Sequence, residues 1–271
     1  MTSLLLLKIV LTSMGAVTLT IILVVVIAKI LKYTMPKKIP KNLPYYSEIP
    51  FGGDLFYTYA ICEFYEINPS ISTDFLEALL LKWIKEGKCV VDSQNQDPKE
   101  STIFFTHAQG FKRDTEEALF EFCRANIPGS KTTIRNYQKF ILKNLIKINP
   151  ILSQIQMKEF DKMRNTGVIE RNARIKPFTK LNKKYYTLEF VEQVNQLLGF
   201  KKYLIDYSIV GFRGSVDNET LIDFLTFSQL LNIDSVMTKE LANINPLILK
   251  EKYDKSVGVS DSNSEDQESS H

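Results

Sequence analysis

Apolar residues are distributed along this chain in two quite different ways, and the first is confined to its start. Residues 9–28 (IVLTSMGAVTLTIILVVVIA) carry no charge over twenty positions and are followed by Lys29, Lys32, Lys37, Lys38 and Lys41. A bilayer core of roughly 30 Å needs about twenty apolar residues at about 1.5 Å of rise each, so this run predicts one transmembrane helix after a short outer segment, 1–8. Val24, Val25, Val26 and Ile27 are β-branched, but lipid obliges the backbone to satisfy its own hydrogen bonds and so favours a helix there. In the linker 29–44, Pro36, Pro40 and Pro44 remove backbone donors and bias their predecessors away from helix, which predicts an extended, basic connection.

Further on, apolar residues recur at shorter periods. Phe75, Leu76, Leu79, Leu80, Trp83 and Ile84 share a helical spacing behind a capping box of Asp74 and Glu77, and Gly87 suits the left-handed end of that helix. Cys89–Val91 and Thr102–Phe105 are β-rich runs around the polar loop DSQNQDPKES, which predicts a two-stranded wing. Asp114 with Glu117 begins another helix through Leu119, Phe122 and Cys123, stopped by Pro128 and Gly129. Helix, strand, loop, strand, helix is a winged-helix-like order and defines a first unit over 45–130. A second is predicted over 131–188. Thr132 or Thr133 opens its first helix (Tyr137, Phe140, Ile141, Leu145), Pro150 starts its next (Ile155, Phe160, Met163, ending at Gly167), and Val168–Ile169 and Lys184–Leu188 form strands around ERNARIKPFTKLNK. Residues 189–250 read as a helical segment, with helices over 189–198, around 201–207, over 220–231 behind Asn218, and a short one after Asp234. The expected fold class is α+β, mostly helical, with one N-terminal transmembrane helix ahead of winged-helix-like units.

Charge orients the predicted span. Only the amino terminus and Lys8 precede it, whereas five lysines follow within thirteen residues; the positive-inside rule then puts the carboxyl side in the cytoplasm. A cleaved signal peptide fits less well, because the apolar run is too long, no basic segment precedes it, and no A-x-A-like site follows before the lysines. The formal net charge of +3 is uneven: residues 1–44 hold six lysines and no acids, leaving about −3 elsewhere. Six acids against two lysines fall in 251–271, a stretch ending SDSNSEDQESSH that predicts a disordered tail. Residues 45–250 are near neutral and lack the global footprint of a nucleic-acid binder. Cys62, Cys89 and Cys123 are odd in number and widely spaced, which argues against a disulfide framework or a zinc ribbon and agrees with a cytosolic body.

YYSEIPFGGDL at 45–55, directly after the span and its linker, resembles the YY-x-EIP opening of the cytoplasmic part of the YciQ-like predicted membrane proteins of bacteria, a domain-of-unknown-function family. The match rests on Tyr45, Tyr46, Glu48, Ile49 and Pro50. The stretch 199–246 is similar to that family's closing segment through Gly199, Phe200, Tyr203 and Leu204, then Phe224, Leu225, Phe227 and Leu231, while Ser228 and Asn232 depart from its alanine and glycine. The resemblance implies a bacterial membrane protein with a cytoplasmic C-terminal domain; it brings no catalytic residue, and the outward-facing domain of longer relatives is not present. Read as residues alone, Tyr45, Tyr46 and Pro50 dock the linker on the domain, Gly199 caps a helix ahead of Phe200 and Leu204, and Glu48 caps a helix or pairs with a lysine.

Chemistry is thin. His107 is the one histidine outside the tail, too few for a histidine metal cluster or a two-histidine relay. PGSKTT at 128–133 lacks the glycine that a phosphate loop needs immediately before its lysine, since Ser130 occupies that place. No catalytic residue, cofactor or metal is assigned. Two basic groups remain: Arg135, Lys139, Lys143 and Lys147, which recur every four residues along one helix, and Arg171, Arg174 and Lys176 around the second predicted wing. A stripe opposite Tyr137, Phe140, Ile141 and Leu145 is what a solvated amphipathic face looks like, and it also suits lipid or protein contact. The expected function is a protein-interaction or scaffold module held at the membrane; the alternative is a membrane-tethered, winged-helix regulator that binds nucleic acid.

Overall fold

The computed structural model describes residues 39–40, 42–68, 70–92, 100–207 and 218–233. The predicted span 9–28, most of the linker, the helix expected after Asp234 and the acidic tail lie outside these residues. Among the described residues no helix is long and apolar enough to cross a membrane. What they form is α+β and mostly helical: helices α1 (Leu55–Tyr65), α2 (Ile71–Lys85), α3 (Asp114–Asn126), α4 (Ile134–Thr166), α5 (Leu188–Tyr207) and α6 (Asn218–Leu230), with strands β1 (Cys89–Asp92), β2 (Thr102–Phe105) and β3 (Lys131–Thr133).

Helix α1 was not anticipated by its pattern, for a physical reason. Nine of its eleven residues are buried, so it has no polar face and shows no helical period. Tyr59 stacks on Phe75 of α2 at 4.2 Å and Phe64 meets Phe160 of α4 edge-on at 5.9 Å. Helix α2 buries the apolar set expected of it and packs most extensively on α6. It begins at Ile71 rather than behind Asp74, because the Asp74 carboxylate is engaged with Ser70 Oγ (2.7 Å) and Asn68 Nδ2 (2.5 Å) in the turn leading in from α1. Its other end is as expected: Gly87 at φ +71° donates to Ile84 O and Lys88 to Trp83 O, a Schellman arrangement.

Strands β1 and β2 pair antiparallel in the register Cys89↔Phe105 and Val91↔Ile103, and these four side chains face the core. The unanticipated β3 is only Lys-Thr-Thr, too polar and too short to read as a strand; it adds to β2 through Thr102↔Thr133 and Phe104↔Lys131. Phe105 touches Phe120 of α3, and Trp83 meets Phe120 edge-on at 5.2 Å, which closes the sheet against the helices. Trp83 Nε1 donates to Glu116 Oε1 (3.2 Å), and Lys82 Nζ pairs with the same oxygen at 2.5 Å, so this buried carboxylate is compensated.

The second winged unit is built differently from the expectation. Where a break at Pro150 was predicted, α4 runs unbroken through 33 residues with Thr133 as its side-chain cap. A proline inside a helix leaves the carbonyl four residues earlier, that of Ile146, without its usual donor. Pro150 and Ile146 are both on the solvent side, where water can serve that carbonyl, while Tyr137, Ile141, Ile148, Leu152, Ile155, Phe160 and Met163 hold the inner face on both sides of the proline. The predicted strands at 168–169 and 184–188 reduce to a single bridge, Ile169↔Tyr186. The intervening backbone is drawn elsewhere: Leu181 N–H donates to Phe64 O (3.0 Å) and Phe178 N–H to Gln156 Oε1 (2.8 Å).

Helix α5 likewise merges two predicted pieces, and Gly199 is inside it, not at its end. Phe190, Val194, Leu197, Phe200 and Leu204 are all buried and carry the helical period straight through the glycine. Gly199 is needed for a close approach: a Cβ there would stand 2.4 Å from Tyr46 Cδ2 and 2.5 Å from the carbonyl oxygen of Pro44. The segment 43–46 crosses α5 at this point. Alanine ordinarily gains about 1 kcal/mol over glycine inside a helix, yet Gly199→Ala is expected to destabilise the protein by about 1–3 kcal/mol, since the Pro44 carbonyl cannot rotate away as a side chain can. Thermal unfolding checks this; a rise in Tm would refute the crossing.

Candidate functional site

The residues singled out in the opening of the domain serve to fasten it. Tyr45 donates from its hydroxyl to Asp206 Oδ2 (2.8 Å) and lies under the Lys202 ammonium at 4.3 Å; Lys202 Nζ also donates to Leu43 O (3.0 Å). Tyr46 covers Gly199, Ile49 packs on the core, and buried Pro50 begins a 3-10 turn, Pro50–Gly53. Phe200 and Leu204 are fully buried and Tyr203 is half-buried. The structure therefore brings the 45–50 and 199–204 groups together. Glu48 is exposed and makes neither the cap nor the lysine pair expected of it among the described residues.

A second assembly was invisible in the sequence because its members are far apart along the chain. Asp54 caps α1 through Tyr57 N–H (3.1 Å) and also accepts two hydrogen bonds from Arg113 Nη2, at 3.0 and 2.8 Å. Arg113 reaches Glu159 of α4 with its other terminal nitrogen and lies 4.6 Å over the Phe56 ring; Lys162 approaches Asp54 at 3.4 Å and lies 5.0 Å over Tyr57. Two acids and two bases compensate one another here, and Glu159 is 6 % exposed. Beside it is a cavity of about 220 Å³ lined by Lys112, Arg113, Asp114, Thr115, Ile155, Lys158 and Glu159. The arrangement can lock α1, α3 and α4 in register. It offers no nucleophile paired with a base.

Glu63 is a partly buried carboxyl near the end of α1. Burial first, and the nearby Glu66 charge second, push its carboxyl up to about 7. The three cysteine thiols are all pushed up by burial as well, which leaves them unreactive.

The two basic groups occupy separate places. Arg135, Lys139, Lys143 and Lys147 are exposed on the outer face of the first half of α4; Arg135 pairs with Glu100 at 2.9 Å, whereas the three lysines have no ion pair among the described residues. Arg171, Arg174 and Lys176 are exposed on the loop after α4, on no strand. That loop returns along α4 only as far as Gln156, about 14 Å of helix beyond Lys147 at about 1.5 Å per residue. The structure adds two residues to the first group that the charge pattern hid: Leu142 and Ile146 are 64 % and 87 % exposed. The spacing Arg135, Lys139, Leu142, Ile146 repeats by four, three and four, which places all four on one helical face and would have revealed it. Two large apolar side chains among four cations, directed away from the core, make this face the candidate functional surface.

Compared with protein-family models, curated proteins and solved structures, the chain has no match.

Two outcomes test the buried groups. Arg113→Met leaves Glu159 only the more distant Lys162, at 3.8 Å, and takes two hydrogen bonds from Asp54; it is expected to cost about 3 kcal/mol in chemical denaturation, with part of that recovered in the double variant Arg113→Met, Glu159→Gln, and equal stabilities for wild type and the single variant would refute the lock. For Glu63 the sign is fixed by its raised value. Between its ordinary 4.5 and about 7 the folded protein keeps a proton that the unfolded chain has released, so stability falls as pH rises through that window. Glu63→Gln is expected to raise stability at pH 8 by about 1–3 kcal/mol and to change it little at pH 4; thermal melts at the two pH values check it.

Proposed function

We propose that this chain is a single-span protein of a bacterial membrane, amino terminus outside, whose cytoplasmic α+β body binds another protein at the membrane surface. The span, its basic collar and the YciQ-like resemblance support the placement. The first part of the body, with its β1–β2 hairpin after α2, supports a winged-helix-like unit that serves protein contact, a common use of such units. The observation that carries the binding reading is the outer face of α4, where Leu142 and Ile146 stand exposed between Arg135, Lys139, Lys143 and Lys147. Two large apolar protrusions next to one another, beside cations of one sign, fit a partner surface of opposite sign better than a single exposed apolar residue would.

Proximity labelling in intact cells tests this, with the labelling enzyme fused after His271. A short, reproducible set of neighbouring proteins is expected, and it should shrink for the variant Leu142→Ser, Ile146→Ser. Enrichment of nucleic-acid-binding proteins insensitive to that variant would instead support the tethered regulator, and labelling confined to the outside of the cell would overturn the topology.

A further inference from the structure

We propose that the partner of the α4 face is the first turn of α5 on a second copy of this chain, so that copies associate head to tail. This deepens the proposed docking role of α4 and rests on it.

The two most exposed large apolar side chains among the described residues are Leu188, 90 % exposed, and Ile146, 87 % exposed. Each has an apolar neighbour on its own helix face: Val191, 40 % exposed, three residues after Leu188, and Leu142, 64 % exposed, four residues before Ile146. The surroundings differ in sign. Arg135, Lys139, Lys143 and Lys147 frame the α4 pair, while Glu189 and Glu192, both exposed, frame the α5 pair. One patch is an apolar pair in a cationic rim and the other an apolar pair in an anionic rim.

Complementarity of this kind selects the geometry. An α4 face set against another α4 face opposes Lys139, Lys143 and Lys147 to the same three lysines, Arg135 being paired with Glu100, so a symmetric contact through that patch is disfavoured. Basic face on acidic turn is heterologous, and the two patches sit on different helices of the same molecule, which lets the contact repeat from copy to copy. Backbone groups agree with this polarity: Pro150 supplies no donor to the Ile146 carbonyl on the basic face, and the first N–H groups of α5, at Leu188 and Glu189, precede the helical ladder. Lys183 and Lys184 stand just before the acidic turn, Lys184 over the Tyr185 ring at 4.8 Å, so charge contributes less there than apolar contact and salt weakens the association only in part. The patches are small, and the association is weak in free solution; a shared membrane raises the effective concentration of one copy around another.

The acidic tail is the competing occupant of the α4 face. Its last twelve residues, SDSNSEDQESSH, hold four of its six carboxylates and no large apolar side chain, while its apolar residues, Tyr253, Val257 and Val259, precede them, the tyrosine between Lys252 and Lys255. The α5 turn supplies carboxylates and large apolar side chains together.

A charge exchange tests the proposal on the full-length chain in detergent micelles, read by energy transfer between donor- and acceptor-labelled copies. One variant is Lys139→Glu, Lys143→Glu, Lys147→Glu; the other is Glu189→Lys, Glu192→Lys. The wild type is expected to associate with rising concentration, each variant alone to associate at least about tenfold more weakly, and an equimolar mixture of the two to recover most of the wild-type signal. Recovery only on mixing is the signature of a heterologous contact. If either variant loses its fold by circular dichroism, Ile146→Ser and Leu188→Ser replace it, each expected to weaken association alone. A wild type that stays monomeric, variants that associate as it does, or a mixture that recovers nothing overturns the proposal, as does association that appears only when residues 251–271 are deleted. Loss of cellular neighbours on changing α4 together with no association between copies would sink the second-copy reading alone and leave the docking role standing.

Discussion

The enclosure of α1 is the constraint from which most of this structure follows. A helix buried along nine of eleven residues cannot leave its end groups to water, so both termini must be met by protein. At the amino end Asp54 takes the Tyr57 N–H and in doing so brings a carboxylate inside, which in turn calls for Arg113 and Lys162. Arg113 is the residue just before α3 and Lys162 is near the end of α4, so capping one helix fixes where two others begin and end. At the carboxyl end Glu66 turns left-handed, Ile67 N–H bonds to Cys62 O, and Leu181 N–H arrives to take Phe64 O. The loop 170–182 is therefore pinned across α1, and that is why it is not a free ribbon.

Gln156 shows the same logic in the middle of the helix. It is fully buried, and its amide donates to the Tyr59 hydroxyl (2.9 Å) while its oxygen accepts from Phe178 N–H. One side chain on α4 thus satisfies a phenol on α1 and a loop amide together. An apolar residue there would leave the Tyr59 hydroxyl with Ser72 Oγ alone, at 3.3 Å, and take the side-chain acceptor from Phe178 N–H.

How much of this could be read from the sequence depended on whether a segment meets water. Helix α2, with a polar side, displayed its period and its glycine stop; α1, with none, did not. Strand β3 is three polar residues whose conformation comes from its neighbour β2 and not from its own composition. Pro150 and Gly199 were read by local propensity as a start and an end, and both are interior, because tertiary packing on the opposite face outweighs a local cost of roughly 1–3 kcal/mol. The cluster of Asp54, Arg113, Glu159 and Lys162 joins residues separated by up to 108 positions, a pairing that no spacing rule could reveal. By contrast the stripe on α4 is visible in the sequence as four evenly spaced cations, while Leu142 and Ile146 beside it read as members of the inner face until their exposure is known.

The continuity of α4 fixes where those last two residues stand. A break at Pro150 would let the first half of the helix swing independently of the second, and with it the face that carries the cations. Instead Ile148, Leu152 and Ile155, all buried, tie both halves to one core, and the proline is placed where its missing hydrogen bond falls on the wet side. The freed carbonyl belongs to Ile146 itself. The residue that protrudes most from this face is thus held by a core-anchored helix, while the backbone acceptor beside it is released from the helical ladder on the solvent side.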